Sequence, residues 1–125
     1  WMPTAHHNNP DLMEYIDKFV AIDLSPGQYH ARRHARLFYL WGHSYEFNDS
    51  DNWYIIEEFA EFIGGRDDIW YATNIETVDY INAFRNLVFS ADGAIIMNPT
   101  STQLWFDEGG KTYTIMPGQT LVIER

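Results

Sequence analysis

The last third of the sequence constrains the fold most strongly, because short apolar or β-branched runs alternate there with turn residues. The turns are indicated by Asp, Asn, Gly and Pro, in the stretches Ala91-Asp92-Gly93, Asn98-Pro99, Asp107 to Gly110 and Pro117-Gly118. The runs between these turns span 87–90, 94–98, 102–106, 111–115 and 120–124. Runs of this length, separated in this way, predict an antiparallel β meander.

The first two-thirds of the sequence instead alternates predicted helices and strands. Helical spacing, caps and short apolar runs predict, in chain order, helix 10–22, strand 37–41, a helix from Asp49 or Ser50 to Gly64, strand 69–72 and a helix after Thr73. Such alternation is typical of a parallel sheet or barrel. We therefore expect a single α/β globule, made of a partial (β/α) barrel-like segment over 1–86 and an antiparallel β extension over 87–125 that packs on it.

Charge and cysteine content exclude several classes of function. The 125 residues include 18 acidic and 8 basic side chains, a formal net charge of -10. A field of this sign repels phosphate backbones and anionic lipid headgroups, so we expect neither nucleic acid nor a membrane as partner. The absence of cysteine excludes disulfides, thiolate metal sites and cysteine nucleophiles, and it leaves the cellular compartment open.

A histidine and a carboxylate follow the predicted strand 37–41. In parallel sheets and β/α barrels, ligands bind where the strands end, because the loops there converge on a crevice. His43 is therefore a candidate catalytic acid or base, and Glu46 is a candidate to orient it or to bind a sugar hydroxyl. Two structural roles stay open: His43 as a packed residue hydrogen-bonded to backbone, and Glu46 as a cap of the turn.

The other histidines and the tryptophans also allow two interpretations. His6 and His7 lie in a predicted loop that can line the same crevice as His43, or they form a solvated pair. His30 and His34 are four residues apart, but neighbouring arginines disfavour a cation there. The tryptophans are predicted to be mainly core residues, although one or two can stack on a sugar ring, and they include Trp41, Trp53, Trp70 and Trp105.

A resemblance to a known family lies in the stretch Trp41-Gly42-His43-Ser44-Tyr45-Glu46-Phe47, in the segments 1–9 and 69–76 and in the β-rich tail. In these segments the chain resembles the C-terminal part of bacterial polysaccharide deacetylases with the NodB-homology fold. The resemblance implies a deformed (β/α) barrel, a carbohydrate partner and hydrolysis of an acetyl group from a sugar. It implies that His43 protonates the leaving group, assisted by Glu46. The residues expected to bind substrate are His6, His7, Trp41 and Tyr45.

Two motifs of that family have no counterpart in this sequence. The resemblance implies a divalent metal, zinc or similar, held by an aspartate and two histidines, but the Thr-Phe-Asp-Asp run and a matching H-x-x-x-H motif are missing. We therefore expect no metal ligands and no tight metal binding in this chain. The chain would correspond to the back half of the enzyme, completed by a missing N-terminal half or by a second copy. The alternative function is a non-catalytic carbohydrate-binding or accessory module.

Overall fold

The computed structural model describes residues 2–22 and 36–124. The chain divides into two compact units, Trp1–Ile69 and Trp70–Arg125. The described residues form a mixed α/β structure with four helices and antiparallel strands, which confirms the predicted fold class at that level. The predicted division into a barrel-like segment 1–86 and a β extension 87–125 stays a prediction.

The first unit is built on a parallel pair of short strands. Strand β1 (Ala5–His6) pairs with β2 (Leu40–Trp41), with Ala5 opposite Leu40 and His6 opposite Trp41. Helix α1 (Leu12–Val20) lies between them in sequence, as a parallel connection requires. Helices α2 (Ser44–Ser50) and α3 (Tyr54–Ile63) follow β2.

The core of the first unit is the apolar face of α1 packed under β1. Leu12 and Ile16, one helical turn apart, are buried together with Ala5. The helix begins two residues later than predicted, after the Asn9 side chain accepts a hydrogen bond from the Asp11 amide at 2.9 Å. The aromatic rings around this core are only partly buried, and they include Phe38 and Phe59.

Three sequence-based predictions for this part of the chain are corrected by the structure. The predicted strand 37–41 pairs only over Leu40–Trp41. The predicted strand 69–72 is irregular, since no ladder hydrogen bonds form there. Residues 44–50 form α2, although the sequence predicted a strand end and a loop before a helix that begins at Asp49 or Ser50; the next helix, α3, begins at Tyr54. Strand β1 was not predicted.

The second unit begins with helix α4 (Asn74–Arg85) and continues as five short strands, which confirms the predicted antiparallel strands. Their order differs from the predicted meander, because β7 pairs with β4 and not with its neighbour in sequence, β6. The strands are β3 (Val88–Phe89), β4 (Ile95–Met97), β5 (Leu104–Glu108), β6 (Lys111–Ile115) and β7 (Thr120–Val122). Strand β4 pairs with β3 and β7, and β5 forms a separate hairpin with β6. Gly109 and Gly110 form the hairpin turn with φ of 60° and 79°, the backbone that a two-residue turn of this hand requires.

The core of the second unit lies between α4 and these strands. Leu104 and Ile115 face each other across the β5–β6 ladder and are both fully buried, and Ile96 and Ala83 are buried in the same cluster. Asn98 is also fully buried, and its amide group donates to the backbone oxygens of Thr102 and Met116 while its oxygen accepts from Thr100.

The four tryptophans that the structure describes are half-exposed rather than buried, contrary to the prediction that they are mainly core residues. The exposed fractions are 46% for Trp41, 44% for Trp53, 61% for Trp70 and 47% for Trp105. Within residues 2–22 and 36–124, no helix has the length and apolar character needed to cross a membrane. His30 and His34, which the sequence disfavoured as metal ligands, lie outside the described residues.

Candidate functional site

The candidate site lies at the carboxyl ends of β1 and β2. His6 is the last residue of β1 and His7 follows it, while Gly42 and His43 follow the last residue of β2. Since the two strands are parallel, these ends meet at one edge, where α/β folds place their ligands. Helix α2 then begins directly and carries Glu46 in its first turn.

Glu46 is the centre of this cluster. Its Oε2 accepts a hydrogen bond from the His43 backbone amide at 2.9 Å. The same oxygen lies 3.3 Å from His6 Nε2 and 3.6 Å from His7 Nε2. The His43 amide holds the pKa of Glu46 below its usual value, and the three neighbouring histidines act in the same direction against partial desolvation. Glu46 is therefore a carboxylate at neutral pH.

His7 is buried, with only 2% of its surface exposed. Its ring packs against Phe47 at a centroid distance of 4.2 Å, and its backbone amide donates to the Trp41 carbonyl at 3.0 Å. Burial lowers the pKa of His7 below 6.5 and His6 lowers it further, whereas Glu46 and a hydrogen bond to the Trp41 backbone raise it. A neutral imidazole is favoured at neutral pH.

The Nε2 atom of His7 is buried and has no hydrogen-bond partner among the residues that the structure describes. A buried polar atom without a partner costs about 1–3 kcal/mol, so such atoms are uncommon unless a ligand or water meets them. The nearest acidic atom is Glu46 Oε2, just beyond hydrogen-bonding distance. The cluster therefore contains one unsatisfied nitrogen that faces a carboxylate.

His6 is partly exposed, and its second ring nitrogen, Nδ1, also forms a hydrogen bond. Its Nδ1 accepts a hydrogen bond from the Asn8 amide at 3.1 Å. The proton of a neutral His6 consequently lies on Nε2 and faces Glu46. The Trp41 ring meets the His6 ring edge-on at 4.6 Å, and the His6 and His7 rings lie 4.3 Å apart.

Gly42 provides the space that the His7 ring occupies. A Cβ atom at position 42 would lie 1.8 Å from His7 Nδ1, well inside van der Waals contact. Its φ of 157° is also unfavourable for residues with a side chain. Only glycine therefore allows the end of β2 to approach His7 this closely.

His43 is exposed, unlike the packed residue that the sequence left open as an alternative. Its ring stacks on Tyr45 at 5.3 Å and lies 6.2 Å from the Trp41 ring. Glu46 bonds to the His43 main chain instead, because a carboxylate three residues into the helix can accept from the residue before it. The predicted capping role of Glu46 is thus confirmed.

The structure brings together most of the residues that the sequence predicted. His6, His7 and Glu46 converge, and Trp41, Tyr45 and His43 lie beside them. The alternative in which His6 and His7 form a solvated pair is wrong for His7, because β1 carries it into the unit. Sequence reasoning missed Gly42 and Phe47. The His43-x-x-Glu46 spacing, which matches that of a capping box, was the signal for α2.

Comparisons with known proteins identified no family. No protein-family model matches the chain. No curated protein and no solved structure matches it either.

Proposed function

We propose that this chain forms part of a hydrolase that removes acetyl groups from polysaccharides, with His43 as the proton donor. The observation that supports the proposal is the grouping of three histidines and one carboxylate at the carboxyl ends of two parallel strands. In this proposal β1, α1 and β2 are one segment of a partial (β/α) barrel. The proposed substrate class, an acetylated polysaccharide, comes from the resemblance of the stretch Trp41 to Phe47 to polysaccharide deacetylases.

The position of His43 suits protonation of a large leaving group. When the tetrahedral adduct of an acetyl ester or amide collapses, the sugar oxygen or nitrogen takes a proton as its bond to the acetyl carbon breaks. His43 is exposed, so a polymer can reach its ring. Glu46 fixes the His43 backbone, and the exposed rings of Trp41 and Tyr45 present apolar faces on which a sugar can stack.

The first test is the substitution His43→Gln in the protein that carries this chain. Loss of a general acid lowers turnover by about a hundredfold or more, so we expect kcat for acetate release from acetylated chitin or xylan oligomers to fall by that factor. KM should change little. The melting temperature should stay close to the wild-type value, because His43 is exposed.

The neighbouring substitution Ser44→Ala is the matched control, since Ser44 is also exposed and lies next in the chain. It should leave acetate release unchanged. Equal activity of the His43→Gln variant and the wild type would contradict the proposed role. A large fall in melting temperature in the His43→Gln variant would assign His43 a structural role instead.

A row of aromatic rings in the second unit, exposed at Trp70 and Trp105 and partly buried at Tyr80, favours the alternative, a carbohydrate-binding module. The Trp70 and Tyr80 rings lie 5.4 Å apart, and the Tyr80 and Trp105 rings stack at 6.4 Å. The Tyr80 hydroxyl accepts from the Trp105 amide, which fixes the row. If the wild-type protein releases no acetate but is retained by insoluble chitin or xylan, and Trp105→Ala abolishes that retention, the module is the better interpretation.

A further inference from the structure

The unsatisfied nitrogen of His7 lies in a cluster with the composition of a metal site. His6, His7 and Glu46 each offer one ligand atom, and these atoms lie within 4.8 Å of one another. We infer that His6, His7 and Glu46 bind a divalent transition-metal ion of the Zn²⁺ type. This inference departs from the sequence-based expectation of no metal ligands, and it does not depend on the hydrolase activity proposed above.

The distances between the ligand atoms favour a tetrahedral ion. Zinc lies about 2.0–2.1 Å from histidine nitrogen and about 2.0–2.2 Å from carboxylate oxygen, which places neighbouring ligand atoms about 3.3 Å apart. Glu46 Oε2 is 3.3 Å from His6 Nε2 and 3.6 Å from His7 Nε2. The two histidine ligand atoms lie within 4.8 Å of each other, so an ion bound between the three residues would draw the two rings together.

His7 is the best prepared of the three ligands. Histidines that bind metals usually hold their second nitrogen on a backbone carbonyl or carboxylate, which fixes the ring and leaves the other nitrogen free. In His7, the hydrogen bond to the Trp41 backbone fixes the ring in this way, and Nε2 is left buried and unpartnered beside Glu46. A metal ion would satisfy that nitrogen.

His6 and Glu46 need one adjustment between them. Glu46 Oε2 accepts from the His43 amide and keeps a second lone pair for an ion. His6 must transfer its proton from Nε2 to Nδ1, which gives up the exposed hydrogen bond from Asn8. A hydrogen bond of this kind contributes about 1 kcal/mol, far less than a metal–nitrogen bond.

Donor type and exposure indicate which ions fit. Two imidazoles and one carboxylate suit zinc, cobalt or nickel, whereas calcium and magnesium prefer oxygen ligands only. About a quarter of each of the His6 and Glu46 side chains is exposed, 26% and 27%. A fourth coordination position would therefore face solvent, as in zinc sites that keep one position for water or substrate.

The test is a calorimetric titration with Zn²⁺ alone, near neutral pH, on protein without a polyhistidine tag. His30→Ala and His34→Ala are introduced in every sample, so that these two histidines contribute no binding. We expect one zinc ion per chain, a rise in melting temperature with zinc, and the visible bands of tetrahedral cobalt when Co²⁺ replaces it.

The decisive variant is Glu46→Gln, whose amide oxygen can still accept from the His43 amide. Loss of one ligand should weaken zinc binding by at least about tenfold. Glu76→Gln is the matched control, because Glu76 holds the same position in the first turn of α4 and none of the described histidines perturbs its pKa. This variant should bind zinc as the wild type does.

A second ligand variant keeps the test decisive if Glu46→Gln does not fold. His6→Gln replaces a partly exposed ring and should weaken zinc binding by a similar factor. Absence of zinc binding, or equal binding by the wild type and the ligand variants, would overturn the inference. Either result leaves the His43 assay unaffected, so the two proposals can fail separately.

Discussion

At the scale of single residues, Gly42 determines where the buried histidine lies. Its backbone occupies the position that would bring a Cβ atom into the His7 ring. At an ordinary turn position, by contrast, glycine is favoured only because the backbone φ angle is positive. Gly65, with φ of 69° and open space around it, is an example of the second kind.

This distinction gives a prediction for Gly42→Ala. The collision should displace His7 and lower the free energy of unfolding by about 3 kcal/mol or more, since overpacking and backbone strain each cost about 1–3 kcal/mol. Gly65→Ala, which has the strain without the collision, should cost about 1–2 kcal/mol. Urea denaturation of both variants measures the difference, and equal losses would contradict the role of Gly42.

At the scale of secondary-structure elements, α2 and α4 begin with the same device but in different surroundings. In α4 the Thr73 amide and hydroxyl both donate to Glu76 Oε2 at 2.7 Å, and Thr73 Oγ1 accepts from the Glu76 amide at 3.4 Å. In α2 the corresponding carboxylate also faces two histidines. The carboxylate at the start of α4 stabilises only its helix, whereas the carboxylate at the start of α2 also positions the candidate site.

The start of α4 gives a prediction for the effect of pH on stability. Hydrogen bonds from the Thr73 backbone and side chain hold the pKa of Glu76 below its ordinary 4.5. Because the folded pKa is lowered, this stabilisation is present above the unfolded pKa and is lost as the pH falls through the folded pKa.

Chemical denaturation should therefore show that the wild type is more stable than Glu76→Gln at neutral pH. The difference should shrink as the pH falls below 4.5. Thr73→Ala should cost about 0.5–2 kcal/mol at neutral pH through loss of the cap. A pH-independent difference between wild type and Glu76→Gln would show that the carboxylate charge has no part in this helix start.

Elements with a long or punctuated pattern could be predicted from sequence, and the shortest ones could not. The turn residues specified β3 to β7, and Thr73-x-x-Glu76 specified the start of α4. β1 has two residues, too few to show a period of two. The aromatic run 69–72 had the composition of a strand, but composition does not provide a pairing partner.

The candidate site was predictable in its location and only partly in its geometry. The rule that ligands meet strand ends placed His43 and Glu46 correctly beside β2. It could not show that β1 brings His6 and His7 to the same edge, because that pairing joins residues 35 apart in sequence. In α4, Ile75 is 64% exposed whereas the smaller Ala83 is buried, so apolar character alone does not identify the buried face of this helix.

At the scale of the whole molecule, the described residues form two hydrophobic clusters, one in each compact unit. The cluster of the second unit rests on Leu104 and Ile115, which are fully buried opposite each other. The cluster of the first unit contains fewer buried residues, and partly buried aromatic rings surround it. We therefore expect β5 and β6 to be among the best protected parts of the second unit.

Leu104→Ala tests this expectation. Removal of a fully buried leucine side chain costs about 2–5 kcal/mol, depending on how far the cavity collapses. Hydrogen exchange should show faster exchange of the β5 and β6 amides in this variant. Thr114→Ala, at an exposed position beside Ile115, should change stability by no more than about 0.5 kcal/mol. Equal exchange rates in Leu104→Ala and wild type would refute the assignment of this core.

The parallel pairing of β1 with β2 also determines when the site can exist during folding. The Thr4 amide bonds to the Tyr39 carbonyl, and the Tyr39 amide bonds to the Thr4 hydroxyl, so a long loop must close before either contact forms. Loop closure of this length is an entropic cost that helices, formed locally, do not carry. A metal site whose ligands all lie on one helix can form as soon as that helix forms. Here the histidines of β1 meet Glu46 only after the loop has closed, so a nascent chain that ends before residue 46 cannot contain the site.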